Sequence, residues 1–448
     1  MQGDVLAPLI SSLQVDTFGK ECLEEKKHLF YFKDIVPVGP LGMVDDLLTI
    51  SECGFKTNLM NQFINFKTGT KRLQFGTTKC IKMHIGKTRS EILCKDLVVG
   101  GWKVEVDTDP VTGGSTQSDV FQGNQKMECK SEQLYLGDLI AADGTHSKNV
   151  KLRSSKGLGA ISQIMQILES TYFGKYYFEV AMVLRESLFL SSILLNSEAW
   201  VNYNKKDVRI LEQCDEILLS NILDCDSNTS NAIKYLDLGV LPIRYEIMKR
   251  KLAFLQYILL QDKGSMIYQV LKATIEDASK NDFAQTCKKY MSELDINISF
   301  EQIASMSKPA FKKLLKEKAK LAAFKYLMQE KSKQSKILDI DYAKLEIQEY
   351  LLRGDRSVSV PKFIFKARSK TLDLKIQKKW KYEDLLCSGC HENEESGEEI
   401  FSCKYFGENE EKITYTWFYS GKLDEQVSAA KVMMRKMKIR KSLRDGIT

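Results

Sequence analysis

In the first 150 residues, short apolar runs alternate with clusters of Gly, Asp, Asn and Thr. Runs of this length, rich in β-branched and aromatic residues and bounded by turn residues, are typical of β-strands. The pattern therefore indicates an α+β region with hairpins rather than a regular alternation of strand and helix. We predict strands within residues 29–39, 79–87, 96–106 and 134–144, a loop at 107–119 and a helix at 53–66.

From about residue 150 the apolar positions recur at the period of a helix. Ile161, Ile164, Met165 and Leu168 show the three- and four-residue spacing that marks one helical face. Further helices are predicted in 185–201, 208–223 and 243–261, and Pro242 is placed near a helix start.

Two later stretches are strongly basic. Residues 308–334 read as a helix with nine lysines, for which a solvated face is the common interpretation and phosphate contact the alternative. Residues 360–386 interleave lysines with Phe363, Phe365, Trp380 and Tyr382. That mixture suits contact with a nucleic-acid backbone combined with base stacking, and it suits an amphipathic packing element equally well.

Composition restricts the class of protein. The chain has 448 residues, enough for two to four domains, and its net charge of +7 is too diffuse to indicate nucleic-acid binding by itself. No window is apolar enough for a transmembrane helix, and the start lacks the features of a signal peptide. Most of the eleven cysteines stand far apart, which favours an intracellular protein with free thiols, in the nucleus or cytoplasm.

The cysteines that do cluster lie near the C-terminus. Cys387 and Cys390 form a C-x-x-C pair across a Ser-Gly turn, and Cys403 follows. A structural zinc site needs four ligands, and Glu399 stands where a histidine would usually supply the fourth; His391 is awkwardly close to Cys390. Zinc binding and an incidental or redox pair in a charged loop both remain open.

A second candidate site is the sequence LGMVDDLLTI, residues 41–50, in which Asp45 and Asp46 lie between two apolar runs. A turn between strands is the simpler interpretation. The other is a metal site, because enzymes that join nucleotides hold divalent cations with carboxylates, and Mg²⁺ prefers oxygen ligands.

The order of several short segments adds a family resemblance. The segments are QGDVLAPLISSLQVD (2–16), GMVDDLLTI (42–50), KRLQFGTTKCIKMHIGK (71–87), LYLGDLIAADGTHSKNV (134–150) and KGLGAISQIMQIL (156–168). This series resembles the polymerase core of reverse transcriptases from retrotransposons without long terminal repeats. The Cys-rich end resembles the zinc-knuckle-like end of such elements.

The resemblance implies a role for individual residues. Asp45 and Asp46 match the catalytic aspartate pair that binds Mg²⁺ or Mn²⁺, Lys79 lies in the motif whose lysine protonates the departing pyrophosphate, and Gln2 and Gly3 match the segment beside the incoming deoxynucleotide and template. Leu136 and Gly137 match the turn that grips the primer end. Zinc would be held by Cys387, Cys390, Glu399 and Cys403, with Glu399 departing from the family's histidine.

The resemblance also implies an organisation and a function. The predicted fold is α+β, with a partial polymerase palm in 1–150, a helical thumb-like region in 151–265, a helical basic connector in 266–386 and a Cys-rich segment with a basic tail in 387–448. The family's fingers and first catalytic aspartate precede the Gln-Gly motif, so we expect an RNA-directed DNA polymerase fragment that is inactive alone. The alternatives are a non-catalytic remnant that binds nucleic acid, and a decayed chain without function.

Overall fold

A computed structural model of the chain describes residues 21, 29–32, 36–43, 46–50, 60–61, 63–64, 80–83, 98–108, 115–126, 128–201, 203–276, 282–334, 340–353, 357–407 and 413–444. They combine strands and helices, which confirms the α+β class, and helices take the larger share. The chain divides into two compact units. We call Met1–Asn149 with Tyr257–Thr286 the N-terminal unit and Val150–Gln256 with Cys287–Thr448 the helical unit.

The described strands pair in twos. They are β1 (Phe30–Phe32), β2 (Val36–Val38), β3 (Leu41–Met43), β4 (Asp46–Leu48), β5 (Ile81–Lys82), β6 (Val98–Thr108), β7 (Ser115–Lys126), β8 (Glu128–Cys129), β9 (Glu132–Tyr135) and β10 (Asp138–Ala141). Four pairs are antiparallel, namely β1–β2, β3–β4, β6–β7 and β9–β10, whereas β5 and β8 are parallel. Strand β7 already begins at Ser115, within the predicted loop 107–119, because it continues the long ladder with β6.

Hairpin β3–β4 includes Asp46, the second residue of the predicted aspartate pair. Met43 is opposite Asp46 in the ladder, and Leu47 packs against a buried cluster that contains Leu29, Met60 and Ile64. An apolar side chain one position after Asp46 therefore anchors this hairpin in the core of the N-terminal unit.

Hairpin β9–β10 closes through a two-residue turn. Leu136 and Gly137 both have positive φ, 47° and 87°, as a type I′ hairpin turn requires. Asn149 is fully buried and fixes the hairpin, because its side chain donates to Asp138 at 3.0 Å and accepts from the backbone N–H of Leu139 at 3.1 Å.

The described helices lie mostly in the helical unit. They are α1 (Ser147–Ser170), α2 (Tyr177–Leu184), α3 (Leu190–Ile193), α4 (Lys205–Leu223), α5 (Asn231–Leu238), α6 (Ile243–Leu259), α7 (Met266–Glu276), α8 (Phe283–Glu293), α9 (Phe300–Ser305), α10 (Lys308–Ser332), α11 (Glu349–Arg353), α12 (Ser359–Arg368), α13 (Gly397–Ser402) and α14 (Leu423–Arg444). None of the described helices has the length and apolar character needed to cross a membrane.

The helix predicted over 185–201 is interrupted. A π-helical turn spans Arg185–Phe189, α3 ends at Ile193, and Asn196 turns the chain with φ 55°. Arg185 is buried and binds Asp215 with two hydrogen bonds of 2.8 and 2.6 Å. The π-turn accompanies the pairing of Arg185 with Asp215, which is 30 residues away in the chain. The spacing of apolar residues within 185–201 could not predict such a pairing.

The lysine-rich helix α10 packs through one regular stripe. Its buried residues recur every four positions: Phe311, Leu315, Ala319, Ala323, Leu327 and Lys331. Helix α10 packs against α5, and most of its other lysines face solvent, as a solvated face and phosphate contact both require. Lys331 differs from them because it is buried and donates to the carbonyl of Ile340.

Candidate metal centre

Four side chains of the helical unit converge in the C-terminal segment. The ligand atoms of Cys387, Cys390, Glu399 and Cys403 all lie within 4.8 Å of one another. Within the described part of the chain, they form the one group of three or more such side chains arranged to hold a metal ion. The Cys-rich segment therefore has an arrangement that could hold a metal ion, and its four residues are those predicted from the sequence.

A short hairpin presents the first two ligands. The backbone N–H of Cys387 donates to the carbonyl of Asn393 at 2.7 Å, and that of His391 donates to the carbonyl of Cys387 at 3.0 Å. The N–H of Gly389 points at the Cys387 sulfur, 3.4 Å away. A side chain at Gly389 would meet Tyr405 at 2.8 Å and the Cys403 sulfur at 3.2 Å, so the turn requires glycine for close approach.

Helix α13 presents the other two ligands. Ser396 caps its start by accepting from the backbone N–H of Glu399 at 3.1 Å, and Cys403 follows its last residue. Glu399 and Cys403 are four residues apart, and positions with that spacing share one face of a helical turn. The cap thus orients both ligands toward the hairpin.

Two distances between ligand atoms show how closely the four side chains approach one another. The sulfurs of Cys387 and Cys403 are 3.8 Å apart, and the Cys390 sulfur is 3.3 Å from Glu399 Oε1. These atoms approach without covalent bonding, since all three cysteines are free thiols. The four ligand atoms thus surround a common point at which a metal ion could be held.

Because the thiols are buried, a bound cation would be needed to stabilise them as thiolates. Cys387 and Cys403 are buried, and burial raises the pKa of the Cys387 thiol to about 12, although the N–H groups of Cys390 and Gly389 oppose that rise. A thiolate here needs a nearby positive charge, because burial penalises the ionised form. Lys436 is buried too, but its ammonium donates to the carbonyl of Gly407.

A buried carboxylate braces the hairpin from behind. Glu395 is fully buried and accepts from the N–H and hydroxyl of Ser388, at 3.2 and 2.6 Å, and from the backbone N–H of Lys375 at 3.1 Å. Arg440 of α14 donates to the same carboxylate. Burial alone would raise the pKa of Glu395, but Arg440 and Ser388 outweigh it, so the pKa is lowered and the group stays ionised.

Glu395 and Arg440 are functional neighbours that the sequence did not reveal. Glu395 lies in a run of charged residues that reads as a solvated loop, and Arg440 reads as part of a basic tail. Their pairing spans 45 residues, and only the folded chain brings them together. His391, by contrast, is exposed with φ 57° and lies outside the ligand cluster.

The predicted polymerase residues are described only in part. Gln2, Gly3, Asp45 and Lys79 lie outside the described residues. Asp46 begins strand β4, and the backbone of this hairpin is antiparallel. Leu136 and Gly137 form the exposed turn of hairpin β9–β10.

Comparison with known proteins yields no relative for this chain. No family model, no curated protein and no solved structure matches it.

Proposed function

We propose that the chain is an RNA-directed DNA polymerase segment of a retrotransposon without long terminal repeats, and that its C-terminal part binds template or primer around a structural zinc centre. The observation that carries the proposal is the Cys387, Cys390, Glu399 and Cys403 cluster, which closes where the resemblance expects a zinc knuckle. The antiparallel hairpin that contains Asp46 and the Leu136–Gly137 turn are elements that a palm would have, and they support the proposal.

Zinc fits the cluster by donor type and by distance. For a tetrahedral ion with zinc–sulfur bonds near 2.3 Å, two sulfurs lie about 3.8 Å apart, and a sulfur and an oxygen about 3.5 Å apart. The observed edges are 3.8 and 3.3 Å. Four protein ligands leave no position for substrate, so the zinc would be structural.

The proposed chemistry is Mg²⁺-dependent nucleotidyl transfer. Mg²⁺ would activate the attacking 3′-hydroxyl and stabilise the leaving pyrophosphate. In the proposal Asp45 and Asp46 would hold the cation through carboxylate oxygens. Lys79 would supply the proton that the pyrophosphate takes up. Gln2 and Gly3 would lie beside the incoming nucleotide and the template. Leu136 would contact the primer from the β9–β10 turn, in which its φ is 47°.

The polymerase proposal is tested by primer extension on an RNA template in the presence of Mg²⁺. We expect little or no extension by this chain alone, and extension that does occur and disappears in Asp45→Asn and Asp46→Asn supports the proposal. Extension that survives both substitutions contradicts the assignment of the metal ligands.

The alternative is a chain that binds nucleic acid without catalysis. The exposed lysines of α10 favour it, since phosphate contact is driven by such charges and weakens as salt rises. Binding of labelled template–primer that falls steeply with salt, without extension and with no change when Mg²⁺ is added, supports this alternative. Absence of binding at low salt contradicts both functions.

The zinc proposal has its own test, metal content and thermal unfolding with and without a chelator. We expect about one zinc per chain and a fall in Tm on chelation, because an ion that binds only the folded state stabilises it. Cys387→Ser should lose the metal, and Cys225→Ser, which changes a cysteine outside the cluster, should keep it. Equal zinc retention in the two variants would contradict the site.

A further inference from the structure

The stretch 360–386 separates into aromatics that pack and one that does not. Phe365 is fully buried in α12, and Phe363 packs against Phe418 with ring centroids 6.3 Å apart. Trp380 is different, because 77% of its surface is exposed. The packing interpretation therefore holds for α12 and leaves the indole of Trp380 unexplained.

The turn that carries Trp380 is firmly held. It follows the buried Leu374, and Asp373 beside it accepts hydrogen bonds from the Tyr382 hydroxyl at 2.9 Å and from Arg444 at 3.2 Å. Burial would raise the pKa of Asp373, but hydrogen bonds from Tyr382, Arg444 and Lys381 outweigh it and lower the pKa to about 2. The carboxylate is thus an ionised anchor at neutral pH.

Two lysines fix the same turn from other sides. Lys378 forms an ion pair of 3.0 Å with Asp226, and Lys375 donates to Asp384 at 2.9 Å and to the carbonyl of Leu386 at 2.8 Å. Trp380 consequently projects from a pre-organised backbone rather than from a loose loop. Pre-organisation of this kind reduces the entropy lost on binding, and exposed tryptophans are typical anchors of binding sites.

The charged residues around the Trp380 indole indicate which class of partner could bind there. Residues 375–382 contain four lysines, and three of them, Lys375, Lys378 and Lys381, form ion pairs with carboxylates. Lys379, next to Trp380, is exposed and forms no ion pair with a described carboxylate. Uncompensated positive charge beside a flat aromatic surface is the combination that binds single strands, because phosphates meet the lysines while a base stacks on the ring.

We infer that Trp380 is a stacking platform for an unpaired base of single-stranded RNA or DNA, and that Lys379 contacts an adjacent phosphate. The inference rests on the proposed nucleic-acid binding and gives it a location. Stacking of this kind tolerates any base, so the site holds a strand without reading its sequence.

The experiment measures binding of a fluorescein-labelled oligouridylate to the full chain by anisotropy at several salt concentrations. Trp380→Ala should weaken binding about 5- to 150-fold, the range found for loss of one stacked base, and Trp380→Phe should weaken it much less. Lys379→Gln should lower the slope of log affinity against log salt by about 0.7, the value for one contact to a single strand. The matched control is Lys344→Gln, an exposed lysine paired with Glu346 at 2.9 Å, which should change neither quantity.

An abasic strand of equal length separates stacking from charge. It carries the same phosphates without bases, so Trp380→Ala should leave its affinity unchanged. An oligothymidylate of equal length should behave as oligouridylate does if the site serves both nucleic acids, and a much weaker effect there would restrict the site to RNA.

Several outcomes would overturn the inference, and they differ from failure of the proposed function. If the unsubstituted chain binds no strand at low salt, nucleic-acid binding itself fails and the inference fails with it. If it binds and Trp380→Ala binds equally well, only the stacking site fails. Equal losses on oligouridylate and abasic strands, or full competition by polyglutamate, would show a site for polyanions in general instead.

Discussion

Asp237 is a position at which one substitution should strongly destabilise the helical unit. This residue of α5 is fully buried, and its two carboxylate oxygens accept the hydroxyls of Tyr342 and Tyr350, each at 2.5 Å. Arg368 of α12 lies 3.7 Å from the same carboxylate. One side chain therefore joins segments that are more than 100 residues apart in the chain.

We expect Asp237→Ala to lower the free energy of unfolding by about 4–5 kcal/mol. Removing one partner of a buried ion pair costs about 3–5 kcal/mol, because the remaining charge stays buried without compensation. Each stranded hydroxyl costs about 1–3 kcal/mol on its own, and the terms overlap because the three groups share one site. Arg368 keeps a hydrogen bond of 3.1 Å to the carbonyl of Phe418, which limits the total.

The assay is urea unfolding followed by far-ultraviolet circular dichroism and by tryptophan fluorescence, to which Trp200, buried in the helical unit, contributes. The matched control is Glu346→Ala, which removes an exposed carboxylate paired with Lys344 close to the same site in sequence. A surface pair of this kind contributes less than about 1 kcal/mol. If Asp237→Ala unfolds at the same urea concentration as Glu346→Ala, the reasoning about the buried cluster is refuted.

Three other outcomes are expected. Burial, followed by the charge of Asp237, raises the pKa of Tyr342 and Tyr350 well above the ordinary value, so the unfolded chain ionises first and stability should fall as pH rises above about 10; a free energy of urea unfolding that stays constant from about pH 9 to about pH 12 would contradict this. Glu399→His should tighten zinc binding in a chelator competition, because imidazole completes the usual Cys₃His donor set; weaker binding would show that the carboxylate is the better fourth ligand here. Glu395→Ala should weaken zinc binding by about 10- to 100-fold, as the loss of groups that orient ligands does, and unchanged affinity would show that the hairpin holds its shape without this brace.

The periodicity of the sequence predicted the helical unit well, because burial on one face leaves a local record. In α10 the apolar residues Phe311, Leu315 and Leu327 fall on the stripe that the structure buries. The Cys387, Cys390, Glu399 and Cys403 cluster could also be predicted from sequence, because its three cysteines lie within 17 consecutive residues and their spacing constrains the turn between them.

Contacts between residues far apart in the chain could not be predicted in this way, because no local sequence pattern marks them. The carboxylate of Asp237 and the hydroxyls of Tyr342 and Tyr350 are ordinary helix and loop residues until the chain folds. The same holds for Arg185, whose bond to Asp215 accompanies a π-turn where the sequence predicted regular helix. Composition indicated basic stretches correctly, but it could not separate lysines that stabilise the fold from lysines that face a partner.

The basic C-terminal helix shows why that separation matters for function. In α14, Lys436 and Arg440 are buried and bind Gly407 and Glu395, so their charge holds the metal segment together and is not free for phosphate. Lys441 and Arg444 lie in the last turn of the helix, where its dipole stabilises cations. Their presence therefore does not require a nucleic-acid partner. Trp380 gains no such benefit from its exposure, and for this reason its substitution is the more decisive test of nucleic-acid binding.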